Sequence, residues 1–479
     1  MGWHAWWSET RATRTLPPVV FALLVAGCAT FQRRPLSPAQ DVAAFGARSF
    51  ADPGLRSFLA AHLHRQITPW PPSSLDWSAL LLTALYYQPE LELARTHEEV
   101  AEAAIVTAGA IPNPSLRASL GLISNPMGVS AWLYGLSLDV PIETAGKRDH
   151  RIARATHLAT AARWNVADVA WQTRSRVLAR LLDLHTAQEI RSRLALQVTT
   201  EEDLVGLLEA RLAAGDVSRP EVTVARIALD RDRLALADAR RQVEVARVQL
   251  AGAIGLPASA LGAVELSVAV LERFPAIPPE ALQREALQRR ADILAALAEY
   301  EAAQASLQLE VARQYPDVHI GPGYGFDDSE NKWTLGVSVT LPVFNRNQGP
   351  VKEAEARRRE AAARFTALQA RAIGEIDSAR AAYACAVDKL ETAVRLLSAQ
   401  EAQVRAAEAR LAAGQDDRLA LLSTKLESST AAVGRVQAFY QAQQALGLLE
   451  DAVQQDLRPD GAPATAPQSS PDDGPVESR

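Results

Sequence analysis

The sequence predicts a mainly α-helical chain with a small β part, in which one structural unit occurs twice. Two long stretches without proline, one after Ile142 and one after Pro350, have the alanine-, leucine-, arginine- and glutamate-rich composition of very long helices. A segment of alternating apolar and polar residues precedes each stretch. The pentapeptide RLAAG occurs near the end of both, at 211–215 and 410–414. The same landmarks in the same order indicate an internal duplication.

The alternating segments predict β-strands. Apolar residues take every second position of 132–142 and of 333–343, which is the two-residue period of a strand. Weaker alternation predicts partner strands at about 114–122 and 317–326, so each copy contains one hairpin. Strands of roughly 10 residues are long enough to cross a bilayer when tilted. Aromatic residues near the strand ends fit an interfacial girdle; they are Trp132, Tyr134, Tyr324 and Trp333. A small soluble sandwich is the alternative.

The stretches between the strands predict two helical hairpins. The first hairpin comprises helices at about 147–214 and 219–254, and the second comprises helices at about 351–413 and 418–455. At 1.5 Å per residue, the longest would extend about 100 Å. Their apolar residues recur at spacings of three and four, which forms an apolar stripe along each helix. Each stripe must pack against another part of the protein. Glycine at the end of each RLAAG predicts a helix C-cap.

These elements divide the chain into six segments. The two repeats are 75–256 and 280–455, and a loop-rich linker at 257–279 separates them. The remaining segments are a signal peptide at 1–27, an N-terminal extension at 28–74 and a disordered tail at 456–479.

The N-terminus has the features of a secretory signal. Arg11 and Arg14 precede an apolar run that is too short to span a bilayer and that ends at Val25-Ala26-Gly27-Cys28. This stretch resembles a bacterial lipobox, so we expect cleavage before Cys28 and acylation of that cysteine. An ordinary signal peptide with an incidental cysteine is the alternative.

Composition argues against several classes of protein. A net charge of -6 disfavours nucleic acid as a partner. Cys28 and Cys385 are the two cysteines, too few for a disulfide framework, and Cys385 is predicted to be buried in an alanine-rich stripe. The eight histidines are scattered without a metalloprotease or Ser-His-Asp pattern. We therefore expect no enzyme, no metal site and no cofactor other than a lipid on Cys28.

Four strands of membrane length cannot close a barrel. Open sheet edges are not tolerated in lipid, so strands that enter a membrane require other copies of the chain. A symmetric trimer would supply 12 strands, together with a hollow cylinder of helices.

With these features, the chain resembles the TolC-like outer-membrane efflux channels, closest to the heavy-metal CzcC/CusC-type branch. The resemblance covers about 75–455 and rests on the two repeats, RLAAG at both tips and the string LPVFNRNQG. It implies a homotrimer with a 12-stranded transmembrane β-barrel in the outer membrane of a Gram-negative bacterium. An α-barrel would cross the periplasm to a periplasmic adaptor and an inner-membrane transporter.

The implied function is the passive exit duct of a tripartite RND-type efflux pump, with heavy-metal cations as first substrate. Multidrug or aromatic compounds are the alternative cargo. A lipid-anchored periplasmic coiled-coil scaffold without a pore is the alternative of another class.

The turn from barrel to helix is predicted at Pro141 and Gly146 in the first copy. In the second copy, Pro342 would end the strand, Asn345, Asn347 and Gly349 would make the turn, and Val351 would begin the helix. The basic cluster at the start of the first long helix fits a solvated face, or else a contact with anionic lipid headgroups; its members are Lys147, Arg148, Arg151 and Arg154.

The hairpin tips are the predicted functional sites. Glu221, Asp416 and Asp417 are gate candidates, with Arg219 and Arg418 as their inter-helix partners. In the resembling family, acidic residues near the tips ring the periplasmic entrance, and Glu221 matches such a position. Asp416 and Asp417 are equally consistent with simple helix capping. The candidates for adaptor contact are Leu212, Gly215, Leu411 and Gly414.

Overall fold

The structure is a computed structural model that describes residues 31–122, 124, 131–272, 274–276, 281–327 and 330–458. The predicted signal peptide, Cys28 and residues 459–479 lie outside the described residues. Contacts divide the chain into two units, 1–47 and 48–479. In the described part of the first unit, helix α1 spans Pro38–Gly46 and has a proline in its first turn.

The second unit contains the duplicated elements. In the first copy, α4 (Pro89–Ala108) leads into strands β2 (Ser115–Leu122) and β3 (Trp132–Ile142), then helices α5 (Lys147–Ala214) and α6 (Arg219–Ile254). In the second copy, α8 (Ala291–Ala312) leads into β5 (Val318–Asp327) and β6 (Glu330–Val339), then α9 (Gln348–Ala412) and α10 (Arg418–Val453). Shorter elements complete this unit: α2 (Pro53–Leu63), β1 (Ser74–Leu75), α3 (Trp77–Tyr87), β4 (Glu265–Leu266) and α7 (Ala281–Arg289).

The two strand hairpins form one antiparallel sheet in the order β2-β3-β5-β6. Pro141 lies within β3, where it is tolerated because β2 pairs only as far as Asp139, which leaves that edge of β3 open. Pro342, in contrast, was wrongly predicted to end a strand, because β6 stops at Val339. Strand β5 begins at Val318, the partner of Val339, so the following residues have no strand to pair with.

The helix predictions are nearly correct. Helices α5 and α6 have the predicted bounds, since glycine and proline mark their ends locally. Helix α9 begins at Gln348, three residues before the predicted start at Val351, because Gly349 and Pro350 fit its first turn. Helix α10 ends at Val453 rather than 455. Among the described residues, no helix combines the length and apolarity needed to span a membrane.

A central core joins segments that were predicted to be separate. Phe50 and Leu59, from the predicted N-terminal extension, are buried together with Val177 of α5 and Leu250 of α6. The predicted linker also contributes. It contains two short 3-10 helices, and its strand β4 pairs in parallel with β1. These segments therefore belong to the fold of the repeats.

The second hairpin is more open than the first within a single chain. Of the 65 residues of α9, the buried ones are Ala354, Ala372, Ile376, Ala379, Tyr383 and Ala407. Cys385 is exposed, so the prediction that it is buried is wrong. It lies two positions after Tyr383, and two positions correspond to about 200° around a helix, away from the buried side.

Two glycines provide a matched test of this fold. Gly206 lies within α5 with open space where a Cβ would stand, so Gly206→Ala should raise the free energy of unfolding by about 0.5–1 kcal/mol. Gly255 has φ +85°, and a Cβ there would lie 2.8 Å from the Tyr87 carbonyl oxygen, so Gly255→Ala should lower it by about 2 kcal/mol. Urea unfolding followed by circular dichroism measures both. Equal effects of the two substitutions would contradict the helical conformation of Gly206 and the left-handed conformation of Gly255.

Candidate functional sites at the strand–helix junction and the hairpin tips

The junction between sheet and long helix is built alike in the two copies. Gly146 and Asn347 each precede the first residue of a long helix, and both have left-handed backbone conformations, with φ of 68° and 60°. They are 201 positions apart, the same offset as Pro141 and Pro342. The residue that corresponds to Gly146 in the second copy is therefore Asn347 and not Gly349. Glycine and asparagine are the residues that adopt this conformation most readily.

Asn347 also links two helices. Its side-chain Nδ2 donates to the Glu310 carbonyl oxygen at 2.8 Å and to the Glu310 carboxylate at 2.9 Å. Its backbone N–H donates to the Asn345 side chain at 2.9 Å. The start of α9 is thereby tied to the end of α8, as the predicted turn role of Asn345 and Asn347 requires.

Three members of the basic cluster at the start of α5 contact protein groups, so the cluster as a whole is not a plain solvated face; the fourth, Arg154, is exposed. Lys147 is buried, and its Nζ lies 2.6 Å from Asp317, which also accepts the Thr144 N–H at 3.0 Å. Burial acts to raise the pKa of Asp317, but Lys147 and the Thr144 amide outweigh it, and the net shift is downward. This ion pair connects α5 to the residue that precedes β5.

Two arginines of the same cluster bind the end of another helix. Arg148 Nε donates to the Gly109 carbonyl at 2.8 Å, and Arg151 Nε donates to the Ala108 carbonyl at 3.2 Å. Arg151 also forms an ion pair with Glu143. The last carbonyls of α4 lack partners within their helix and carry partial negative charge. That arrangement explains why cations stand at a helix start, where the helix's own dipole disfavours them.

The predicted aromatic residues lie at the end of the sheet remote from the helices. Tyr134 stacks on Phe326 with ring centroids 4.7 Å apart, and Tyr324 packs against Trp333 at 5.0 Å. Trp132 is on β3 beside them and is about half exposed. Their role as an interfacial girdle remains a prediction.

The two hairpin tips end in the same backbone motif. Gly215 and Gly414 are left-handed, with φ of 88° and 70°. The N–H groups of the residues that follow them, Asp216 and Gln415, each bond to a carbonyl five residues back at 2.9 Å. This is the Schellman termination that glycine permits. The predicted C-caps are confirmed.

Ion pairs join the tip of one hairpin to the other. Arg211 Nη2 lies 2.5 and 2.6 Å from the two carboxylate oxygens of Asp417. Within the second hairpin, Arg410 Nε contacts Asp416 at 3.0 Å. Arg418, the predicted partner of these aspartates, instead lies 3.9 Å from Asp203 on α5. Arg219 was also predicted to pair with these aspartates. The arginines that pair with them are instead Arg211, with Asp417, and Arg410, with Asp416.

The pKa values of the three candidate gate carboxylates, Glu221, Asp416 and Asp417, are all lowered. Ser218 bonds to Glu221 through its hydroxyl and its backbone N–H, which completes a capping box and lowers the pKa of Glu221. The pKa of Asp416 is lowered by Arg410, and that of Asp417 by Arg211. Asp417 also caps α10 by accepting the Leu419 N–H. Capping and ion pairing therefore coexist at these residues.

The four predicted adaptor contacts belong to the same RLAAG motifs as Arg211 and Arg410. Leu212 and Leu411 are half-buried, whereas Gly215 and Gly414 are exposed with no atom near the position of a Cβ. Sequence reasoning missed Arg211 and Arg410. Both are the first residue of the repeated RLAAG, so their recurrence was the available signal. Within the described residues, no group of three or more histidine, cysteine, aspartate or glutamate side chains is placed to hold a metal ion.

Together, these features define a class of protein: a duplicated chain of strand hairpins and long helical hairpins, with paired tips at the far end of the helices. The chain belongs to the outer membrane efflux protein family, whose profile matches residues 80–256 and 282–453.

Relatives with established names support this assignment. The chain is 31% identical over 265 residues to the cobalt-zinc-cadmium resistance protein CzcC of Cupriavidus metallidurans, an alignment that covers 54% of this chain and 61% of CzcC. It is 27% identical over 296 residues to the pyoverdine export outer membrane protein OpmQ of Pseudomonas aeruginosa, covering 57% and 62%. The chain thus spans less than two thirds of each of these relatives. The solved structure of CusC matches with a TM-score of 0.65 at 19% identity, covering 89% of this chain and 99% of CusC.

Proposed function

We propose that three copies of this chain form a passive outer-membrane exit duct of a tripartite RND-type efflux pump, a conduit without a chemical step. The observation that carries the proposal is the four-stranded sheet joined to two long helical hairpins. One face of the sheet is apolar and exposed: Trp333 is 81% exposed and Leu335 is 72% exposed. Such a face suits lipid, and the opposite face is rich in glycine and polar residues.

The same sheet supports assembly. Among the described strands, β2 and β6 form the two edges and have no further partner. An open edge is not tolerated in hydrocarbon, so β6 of one copy would pair with β2 of the next. Three copies would contribute 12 strands. The sparse burial along α9 is also consistent with helices of neighbouring copies packing against it.

The proposed architecture is tested by the mass and shape of the detergent-extracted protein. We expect a particle with about three times the 51.7 kDa chain mass, less any cleaved segment, and longer than about 100 Å by electron microscopy. Addition to a planar bilayer should produce discrete conductance steps. A monomer or dimer without a barrel-like end would favour the lipid-anchored scaffold.

The tips would form the periplasmic entrance and meet the adaptor. In a trimer, each of the three Arg211–Asp417 pairs would link the two hairpins of its own chain. We propose that these pairs hold the entrance closed, and that Glu221, Asp416 and Arg418 contribute to the same ring. The motif containing Leu212, Gly215, Leu411 and Gly414 would contact a periplasmic adaptor, which connects the duct to an inner-membrane transporter. Crosslinking from cysteines at these positions would test the contact.

Heavy-metal cations are the proposed cargo, since CzcC is named for resistance to cobalt, zinc and cadmium. OpmQ is named for pyoverdine export, which keeps organic compounds as the alternative. Cells that lack this chain should become sensitive to Zn²⁺, Co²⁺ or Cd²⁺ and recover when it is supplied. Sensitivity to organic compounds alone would favour the alternative.

We also propose that Cys28 is acylated after removal of the signal peptide and anchors the chain to the outer membrane. The residues Val25-Ala26-Gly27 before it support this. The mass of the N-terminal peptide would show the lipid, and an unmodified Cys28 would contradict it.

A further inference from the structure

One histidine on the sheet is held by a carboxylate. His319, in β5, directly pairs with Pro141 of β3, and Asp139 is two residues earlier on the same face of β3. The His319 Nδ1 lies 3.1 and 3.2 Å from the two oxygens of Asp139. An ionised carboxylate only accepts hydrogen bonds, so Nδ1 carries the proton and donates. In the neutral imidazole, the lone pair is then on Nε2.

The surroundings leave this imidazole accessible. The His319 side chain is 37% exposed, and that of Asp139 is 50% exposed. Gly321 and Gly323 follow on the same face of β5, and Gly321 pairs with Gly336 of β6. Gly321 and Gly336 have no side chains to cover the imidazole. Ser338 of β6 pairs directly with His319, and Ser137 and Arg117 lie further along the same face.

A second carboxylate lies nearby but is already paired. Asp317 is two residues before His319, and the two groups interact electrostatically. The Lys147 Nζ lies 2.6 Å from Asp317 and compensates its charge, so Asp317 does not serve as a ligand. The polar face of the sheet therefore presents one imidazole nitrogen backed by a bonded carboxylate.

A histidine oriented by a carboxylate is the usual arrangement of an imidazole that ligates a metal, since the partner fixes the tautomer and raises ligand basicity. Imidazole favours borderline cations such as Zn²⁺ and Co²⁺ over Mg²⁺. We propose that His319, positioned by Asp139, is a weak binding point for such cations as they pass the polar face of the sheet. One protein ligand gives weak binding, which suits a conduit because a permeating ion must also leave. This inference rests on the proposed function, because it names His319 as a residue that the proposed heavy-metal cargo would contact.

The test is a chemical footprint of the full chain in detergent. Diethylpyrocarbonate modifies neutral imidazole, and peptide mass spectrometry reports each histidine separately. We expect Zn²⁺ to protect His319 at concentrations that leave the exposed His97 of α4 unprotected, and Mg²⁺ to protect neither. Asp139→Asn should raise the Zn²⁺ concentration for half-protection about tenfold. Unchanged elution of this variant by size would show that it is folded.

Three results would overturn the inference: no protection of His319 up to about 1 mM Zn²⁺, a concentration marking very weak binding; equal protection of His97; or no effect of Asp139→Asn. The footprint is independent of export. Protection without metal export would leave the site standing and refute the proposed cargo. Metal export without protection would refute the site alone.

Discussion

Replacing Arg458 with methionine is expected to lower the free energy of unfolding by about 3–5 kcal/mol, the cost of leaving a buried charge without its partner. The Arg458 side chain is 2% exposed and forms an ion pair with Glu450, which is fully buried. Its Nη2 also donates to the Gln443 side chain at 3.0 Å. Without Arg458, the Glu450 carboxylate would keep the longer ion pair with Arg174, at 3.4 Å, and the hydrogen bond from the Leu457 N–H, at 3.1 Å.

Tryptophan fluorescence during urea unfolding measures this effect, because the Arg174 guanidinium lies 4.7 Å from the centre of the Trp171 ring. Arg231→Met, at an exposed position of α6, is the matched control and should change stability by less than about 0.5 kcal/mol. The double variant Glu450→Gln/Arg458→Met should be more stable than Arg458→Met alone, since it removes the uncompensated charge. Equal effects at Arg458 and Arg231 would contradict the buried cluster.

Replacing Arg211 with alanine is expected to raise the bilayer conductance of the proposed trimeric duct several-fold. The proposed entrance is held by Arg211 on one hairpin and Asp417 on the other, with contacts of 2.5 and 2.6 Å. The trimer would lose three such pairs, one in each chain, and each loss would weaken the proposed closed state. Arg219→Ala is the matched control, because Arg219 begins the next helix at the same tip and its change should leave conductance unaltered.

Reversing the pair, as Arg211→Asp with Asp417→Arg, should restore low conductance. If Arg219→Ala raises the conductance and Arg211→Ala does not, the proposed gate is wrong. High salt should mimic Arg211→Ala, because both side chains are reached by solvent and their attraction is screened.

The pH dependence of the entrance follows from the same pair. Arg211 lowers the pKa of Asp417, so the folded state favours the ionised form. The stabilisation is fully present above the ordinary carboxyl pKa of about 4 and is lost as pH falls through the lowered value. Conductance should stay constant from about pH 8 to 5 and rise only in stronger acid. An increase between pH 7 and 5 would point to a different titrating group.

Much of the architecture was predictable because its signals are local. The bounds of α5 and α6 follow from Gly146, Gly215 and Pro220, which act within a turn of where they stand. The strand hairpins follow from a two-residue period. The name of CzcC, in turn, agrees with the resemblance to heavy-metal channels.

The sites were harder to predict because they join distant parts of the chain. Lys147 bonds to Asp317, and Arg211 bonds to Asp417. In each pair, the two residues belong to different repeats of the same chain, so the packing of the two repeats against each other decides the pairing. Arg458 lies in a segment whose composition predicts disorder, yet its side chain is buried beside Glu450.

The sequence by itself determined the duplication, the helical hairpins with their glycine-capped tips, and the strands that precede them, since periodicity and backbone conformation depend on neighbouring residues. Only the tertiary structure decided where β6 stops, which residue begins α9, and which arginine meets which carboxylate. Strand ends depend on where the partner strand begins, and charges pair with whichever opposite charge the packed helices bring within a few ångströms.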